Sequence, residues 1–401
     1  MSFENEIKFG DTYQELPKSK FQVQHADNIG QYPFYTSGDK VLTHSEFNDD
    51  DEIIFLATGG KANVKFNSGK AAYSTDTYAI KGKEHSSKYL YYLLLDKLSY
   101  IDRNFFSGSG LKHLQKKDFR NWLVSFPDDT IEEEQIVQFL SLLDNAISTT
   151  EQLIAKYQRI KTGLLNDLLT SGIDEHGNLR SEKTHNFKDS NLGRIPVEWE
   201  VEDLEKLTRS IITYGIVQAG PFIENGIPYI RTGDMSGDKL TSSNLLRTSE
   251  EIASRYLRSR VEENDIVFAL RATIGKVLLV PKELHGANLT QGTARIAPKW
   301  KNISSLYFLW TMRMDYFKNQ ILKSQKGTTF SEITLGVLRK MEVKYPIDIN
   351  EQERISNIIS KHEKLILVNK RKLLKLQSLK TALMQDLLSG RVRVNFNQKE
   401  N

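Results

Sequence analysis

The sequence predicts a mixed α/β (α+β) fold with an internal pseudo-two-fold repeat: a globular unit and a long helix, then a second globular unit and a second long helix. Three observations predict it. A helical pattern of some forty residues occurs twice without a gap. The segments ahead of the two copies share landmarks of strand and turn type. Hydrophobic residues make up 39% of the 401 and charged residues 26%, the balance of a globular protein with more than one core.

The helices come first because they are the clearest. Ile131 to Thr170 aligns with Asn350 to Ser389 at a constant offset of 219 positions, and about a dozen pairs are identical. The match is densest where Lys161-Thr162-Gly163-Leu164-Leu165-Asn166-Asp167-Leu168-Leu169-Thr170 meets Lys380-Thr381-Ala382-Leu383-Met384-Gln385-Asp386-Leu387-Leu388-Ser389. In the first copy Ile136, Phe139/Leu140, Leu143, Ala146/Ile147, Leu153/Ile154, Tyr157, Ile160, Leu164 and Leu168 recur at three- and four-residue steps. In the second, Ile355, Ile358/Ile359, His362, Leu365/Ile366, Asn369, Leu373, Leu376, Leu379, Leu383 and Leu387 do the same, close to a heptad seam. Forty helical residues span on the order of 60 Å. A single helix of that length cannot bury its seam, whereas two copies can bury it against each other. Gly172 and Gly390 stand as stops, and Asp128, Asp129 or Thr130 and Asn350 are the expected caps.

The globular units are matched more weakly. Pro33-Phe34-Tyr35-Thr36-Ser37-Gly38 resembles Pro228-Tyr229-Ile230-Arg231-Thr232-Gly233, and Asp51-Glu52-Ile53-Ile54-Phe55 resembles Asn264-Asp265-Ile266-Val267-Phe268. Strands are expected at Asp51 to Phe55, Tyr78 to Ile80, Asp265 to Leu270, Val277 to Val280 and Glu342 to Tyr345. Ser87 to Lys97 and Ser304 to Phe317 read as amphipathic helices, and Gly172 to Arg194 as a connector. The expected divisions are 1–130 and 195–349 for the globular units, 131–172 and 350–391 for the helices, 173–194 for the connector and 392–401 for a tail. A shared framework with divergent globular units suggests one scaffold presenting two different readers.

Composition and motifs exclude much. The net charge of +4 permits a nucleic-acid partner without requiring one. Cysteine is absent, which removes disulfides and thiolate metal sites. There is no apolar run of membrane-spanning length and no apolar signal core at the start, so a cytoplasmic protein is expected. No phosphate-binding Gly-rich loop ending in Gly-Lys-Ser/Thr is present, no Pro-Pro pair occurs, and no histidines fall at metal-ligand spacing. Glu342 and Lys344 have a nuclease-like Glu-x-Lys spacing but lack a preceding acidic partner, so plain strand alternation is the reading.

The chain resembles the specificity subunits of type I restriction-modification systems. Leu192-Gly193-Arg194-Ile195-Pro196-Val197-Glu198-Trp199 resembles the start of a target-recognition domain in that family. Ile230-Arg231-Thr232-Gly233-Asp234-Met235 and Lys326-Gly327-Thr328-Thr329-Phe330 resemble its internal motifs. Asn350-Glu351-Gln352-Glu353-Arg354 and Leu383-Met384-Gln385-Asp386-Leu387-Leu388-Ser389-Gly390 resemble the ends of its conserved helix. The first unit lacks the Pro-x-x-Trp of Pro196 and Trp199 and starts abruptly near Phe9, which leaves its first strand open.

The resemblance implies two target-recognition domains separated by two antiparallel helices in a coiled-coil pair. Each domain would read half of a split double-stranded DNA site, and the helices would set the gap. Two methyltransferase subunits and restriction/translocase subunits would be the partners. No cofactor is expected in this chain, since S-adenosylmethionine, ATP and Mg would belong to those partners. Reading DNA takes phosphate contacts for register and base-edge contacts for choice. The candidates in the first unit are Thr36, Ser37, Lys40, Lys61, Asn63, Lys65, Ser109, Lys112 and His113. In the second they are Arg231, Arg271, Lys276, Asn288, Gln291, Arg295, Lys326, Thr328 and Thr329. The competing reading is a coiled-coil adaptor that presents two protein-binding domains.

Overall fold

A computed structural model of the chain describes residue 3 and residues 5–27, 29–324 and 332–394. The chain divides into two compact units, Met1–Leu153 with Asn369–Asn401 (unit 1) and Ile154–Val368 (unit 2).

Unit 1 grows around an apolar run with no polar alternation, Ile53 to Ala57, which must be covered on both faces. Its strands are β1 Asn5–Lys8, β2 Tyr13–Glu15, β3 Tyr32–Tyr35, β4 Leu42–His44, β5 Asp49–Ala57, β6 Val64–Tyr73 and β7 Thr77–Gly82, then the short β8 Phe106–Ser107, β9 His113–Leu114 and β10 Leu123–Phe126. One sheet has the order β2-β7-β5-β6-β3-β4, with β3 parallel to β6. The helices α1 Ser87–Asp96, α2 Leu98–Asn104 and α3 Lys116–Arg120 precede the long α4, Thr130–Leu168. Ile54 and Leu56 share a core with Tyr89, Leu90 and Leu93 of α1, while Ile53 and Phe55 face a second cluster with Tyr35 and Tyr73. A fully buried side chain of this size contributes about 1.5–3 kcal/mol.

Unit 2 repeats the plan. Its strands are β11 Phe187–Lys188, β12 Ile195–Pro196, β13 Trp199–Asp203, β14 Thr213–Tyr214, β15 Ile227–Ile230, β16 Leu246–Thr248, β17 Ile266–Ala269, β18 Val277–Leu279, β19 Asn288–Leu289, β20 Thr293–Ile296 and β21 Glu342–Pro346. Its helices are α5 Glu250–Ser254, α6 Ser305–Met312, α7 Asp315–Ser324 and α8 Leu335–Arg339, ahead of the long α9, Ile349–Leu388. The orders β14-β20-β17-β18 and β16-β15-β19 reproduce the unit 1 sheet, except that the role of β6 is split between β18 and β19. As β3 runs parallel to β6, so β15 runs parallel to β19.

The first strand left open by the sequence is present: β1 pairs antiparallel with β10, as β13 pairs with β21. The strand match made from sequence is one residue out of step. Ala57 opposes Thr77 and Ala269 opposes Thr293, which puts Ile54 with Ile266 and Ile53 with Asp265. A slip of one residue exchanges the two faces of a strand. The single helix expected over Ser304 to Phe317 is two, because the chain turns at Arg313, whose guanidinium donates to the Val277 carbonyl at 3.2 Å. The expected connector holds β11, which pairs with β12 just beyond its end, and a buried Arg180.

The long helices lie antiparallel in each unit. In unit 1, Lys380 meets Asp144 at 2.5 Å, and Ile136 and Leu140 pack with Met384, Leu387 and Leu388. In unit 2, Lys161 pairs with Glu363, His362 faces the ring of Tyr157, and Leu168 and Leu169 pack with Ile355 and Ile359. Phe139, Ile160, Leu365 and Leu379, expected on the seams, are exposed. Asp129 Oδ1 accepts from the Ile131 amide at 2.8 Å, and Asp348 Oδ1 accepts from the Asn350 amide at 2.9 Å, so Asp348 and not Asn350 caps the second long helix.

Two equivalent carboxylates latch these helix starts. In unit 2, Glu351 accepts from the Ile173 amide at 3.1 Å, Arg180 Nη1 and Nη2 at 2.5 and 3.0 Å, and Trp199 Nε1 at 3.2 Å. Gly172 permits this at φ 66°, since a Cβ there would strike the Glu351 carboxylate. In unit 1, Glu132, 219 positions earlier, accepts from Arg393 Nε at 2.9 Å and the Val394 amide at 3.2 Å.

Candidate DNA-reading loops

Both units bring equivalent turns together at the ends of the same strands. The organising atom is the carbonyl at the end of the inner parallel strand. In unit 1 the Tyr35 carbonyl accepts from the Ser74 amide at 2.9 Å and from Thr77 Oγ1 at 3.1 Å. In unit 2 the Ile230 carbonyl accepts from the Thr290 amide at 3.1 Å and from Thr293 Oγ1 at 3.2 Å. The turn after β5 is tied to the β8–β9 loop, with Gly60 N donating to the Lys112 carbonyl at 2.8 Å and Leu114 N to Thr58 O at 3.0 Å. The turn after β17 is tied alike, with Ile333 N donating to Leu270 O at 2.9 Å and Arg271 bridged to Glu332. The left-handed residue of this turn is Gly60 in unit 1 (φ 82°) and Ala272 in unit 2 (φ 57°).

In unit 1 these loops surround an open cleft of about 460 Å³, lined by Ser37, Lys61, Asn63 and His113 together with Asp39, Asp76 and Leu111. Four sequence candidates therefore meet in one place. Lys40, Lys61, Ser109, Lys112 and His113 are exposed. Lys112 lies 3.6 Å from Asp102, whose carboxyl is held low by the Ala62 amide it accepts from and by Lys112. Lys65 is spent internally: its ammonium donates to Thr36 O at 3.1 Å, Asn63 Oδ1 at 2.9 Å and the Gly38 carbonyl, and burial pushes its pKa down. Asn63 donates to Ser37 O at 2.6 Å, Ser37 Oγ donates to Asp76 O at 2.5 Å, and Thr36 is buried. Asp39 and Asp76 were missed from sequence, where a carboxylate in a polar turn looks like any solvated acid.

In unit 2 Arg231 and Arg271 are half-exposed and each rests on a carboxylate, Asp234 and Glu332. Lys276 donates to the Ser236 carbonyl at 2.8 Å, which joins the two arginine-bearing loops. Gln291 is half-buried, its backbone amide donating to the Ile216 carbonyl at 3.0 Å. Two candidates are corrected. Asn288 is fully buried and donates to the Ala253 and Tyr256 carbonyls at 3.2 and 3.3 Å. Arg295 is buried against Asp265 at 2.6 Å and Glu262 at 2.9 Å, a core ion network shared with Arg209. Both hold the unit together and cannot reach a ligand. Lys326, Thr328 and Thr329 lie outside the described residues. Among the described residues no three metal-ligating side chains are grouped to hold an ion, and no helix is long and apolar enough to cross a membrane.

Comparison with known proteins bears on what these loops are for. The chain is 27% identical over 405 aligned residues to the type I restriction enzyme MjaVIII specificity subunit of Methanocaldococcus jannaschii, covering 97% of this chain and 92% of that one. It is 25% identical over 284 residues to the EcoBI specificity subunit of Escherichia coli, covering 69% of this chain and 58% of that protein. The crystal structure of a type I restriction-modification S subunit from M. genitalium shares the fold, with a TM-score of 0.67 at 15% identity over 98% of this chain and 96% of that one. The type I restriction modification DNA specificity domain matches twice, over residues 14–159 and 196–378. With both copies of that domain falling on the two repeated units, the chain belongs to the family of type I restriction-modification DNA specificity subunits.

Proposed function

We propose that this specificity subunit binds a split DNA target, one half-site for each unit, with the gap set by the long helices. It carries no catalytic step of its own. Adenine methylation, ATP-driven translocation and cleavage fall to partners, two methyltransferase subunits and the restriction/translocase subunits. S-adenosylmethionine, ATP and Mg belong to those partners, and the complex works in the cytoplasm. One observation carries the reading: a single loop framework is built twice, with the same backbone ties and different side chains on the exposed turns. A target of two unrelated half-sites calls for that arrangement, since phosphates are alike everywhere and base edges are not.

The test is long-read mapping of adenine methylation in cells that express the chain with its methyltransferase subunit, against the methyltransferase alone. A new motif of two short half-sites with a fixed gap is expected. No new methylation from a complex that co-purifies would overturn the proposal in favour of the adaptor.

A further inference from the structure

The two readers differ most in where they place arginine. Arg231 follows directly on β15, and Arg271 stands two residues beyond β17. The corresponding residues of unit 1 are Thr36, which is buried, and Gly59, which has no side chain. Each arginine is docked on an acid. Arg231 Nε and Nη2 donate to the two oxygens of Asp234 at 3.1 and 2.8 Å, and the same carboxylate accepts the Arg231 amide at 2.8 Å. Arg271 Nε donates to Glu332, its cross-strand neighbour. The side chains of Arg231 and Arg271 remain 41% and 42% exposed, whereas that of Asp234 is only 13% exposed.

This arrangement discriminates between two uses of an arginine. A carboxylate fixed against the guanidinium opposes the approach of a phosphate, because like charges repel at short range. It does not oppose a neutral base edge. With the Nε–Nη2 side of Arg231 on Asp234 and the Nε of Arg271 on Glu332, each half-exposed guanidinium keeps one N–H on Nη1 and one on Nη2 as paired donors at the end of its fork. The matching partner is an edge with two adjacent acceptors, which among bases in the major groove is guanine, through O6 and N7.

We propose that Arg231 and Arg271 read guanine in the half-site of unit 2, and that Asp234 and Glu332 are positioning residues that hold the two forks for it. The proposal rests on the reading of the chain as a bipartite DNA binder. It is tested on the complete complex with its methyltransferase subunits. In the wild-type methylation motif, the half-site of unit 2 contains guanine. Arg231→Lys and Arg271→Lys each reduce discrimination at a different guanine by about 5- to 150-fold, the range of one bidentate contact, and leave the other half-site intact. Asp234→Asn relaxes the same position as Arg231→Lys. A purely structural role would instead lower methylation at every motif position alike.

Wild-type binding supplies a readout that needs no variant. Duplexes carrying 7-deazaguanine at those positions lose N7 and bind more weakly. A split motif whose unit 2 half lacks guanine, lysine variants that keep full selectivity, or indifference to 7-deazaguanine would each overturn the proposal and leave the bipartite reading standing. A wild-type complex that methylates no split motif would overturn the bipartite reading and this proposal with it.

Discussion

Replacing Glu351 by glutamine tests how much the buried latch of unit 2 contributes. The side chains of Glu351 and Arg180 are 3% and 7% exposed, so the substitution leaves a guanidinium in the interior without its counter-ion. The nearest other acid is Glu198, 3.8 Å away and half-exposed. Breaking one side of a buried pair costs about 3–5 kcal/mol. Glutamine keeps an acceptor for the Ile173 amide or Trp199 Nε1, which favours the lower figure. The equivalent change Glu132→Gln should cost ~1 kcal/mol or less, because Arg393 is 41% exposed and water can take over. Urea unfolding followed by tryptophan emission reads the difference, since Trp199, Trp300 and Trp310 lie in unit 2 and Trp122 in unit 1. For a unit of this size about 3 kcal/mol lowers the melting temperature by about 6–12 °C. Equal losses for the two variants, or a loss below ~1 kcal/mol for Glu351→Gln, would refute the argument from burial.

Three further outcomes follow from the geometry. Burial pushes the Lys344 ammonium down from 10.5 to about 8, so below that pH folding must place a charge in the core. The unfolded chain binds more protons between about pH 8 and 10.5, so stability rises with pH there. Lys344→Met should remove that rise and stabilise the protein at pH 7 by up to ~3 kcal/mol; a less stable variant in a denaturant titration would contradict this. Ala272→Gly should stabilise by roughly 1 kcal/mol by relieving a left-handed alanine, and Gly60→Ala should destabilise, both read from melting curves. Lys61→Ala should weaken binding of all sequences alike and reduce the slope of log affinity against log salt by about 0.9, with the methylation motif unchanged; a changed motif would make Lys61 a base reader.

The repeated helices were legible because their evidence is local and redundant: a 3.6-residue period sustained over many turns tolerates the exposed Phe139 and Leu379. The strand match was legible only to within one residue. Glu52 and Asp265 look alike in sequence, yet Asp265 stands where unit 1 has Ile53, because in unit 2 that face holds the Arg209 and Arg295 charges. The same network explains why Arg295 read as a DNA contact: nothing near it in sequence shows that its partners lie some thirty residues away at Glu262 and Asp265. Arg231 was recoverable, since its acid follows three residues later. The Arg180–Glu351 latch was not, being closed by residues 171 positions apart.

The split of one strand into β18 and β19 gives the two readers different mechanical character. In unit 1 a single ten-residue strand joins β3 and β5 into one sheet, so the turns that follow them belong to one stiff plate. In unit 2 the chain leaves the sheet between Leu279 and Asn288, and Arg231 and Arg271 follow strands of two separate sheets. Their spacing is therefore held by side-chain and loop ties between those sheets, Thr293 Oγ1 on the Ile230 carbonyl and Lys276 on the Ser236 carbonyl, and not by one continuous strand.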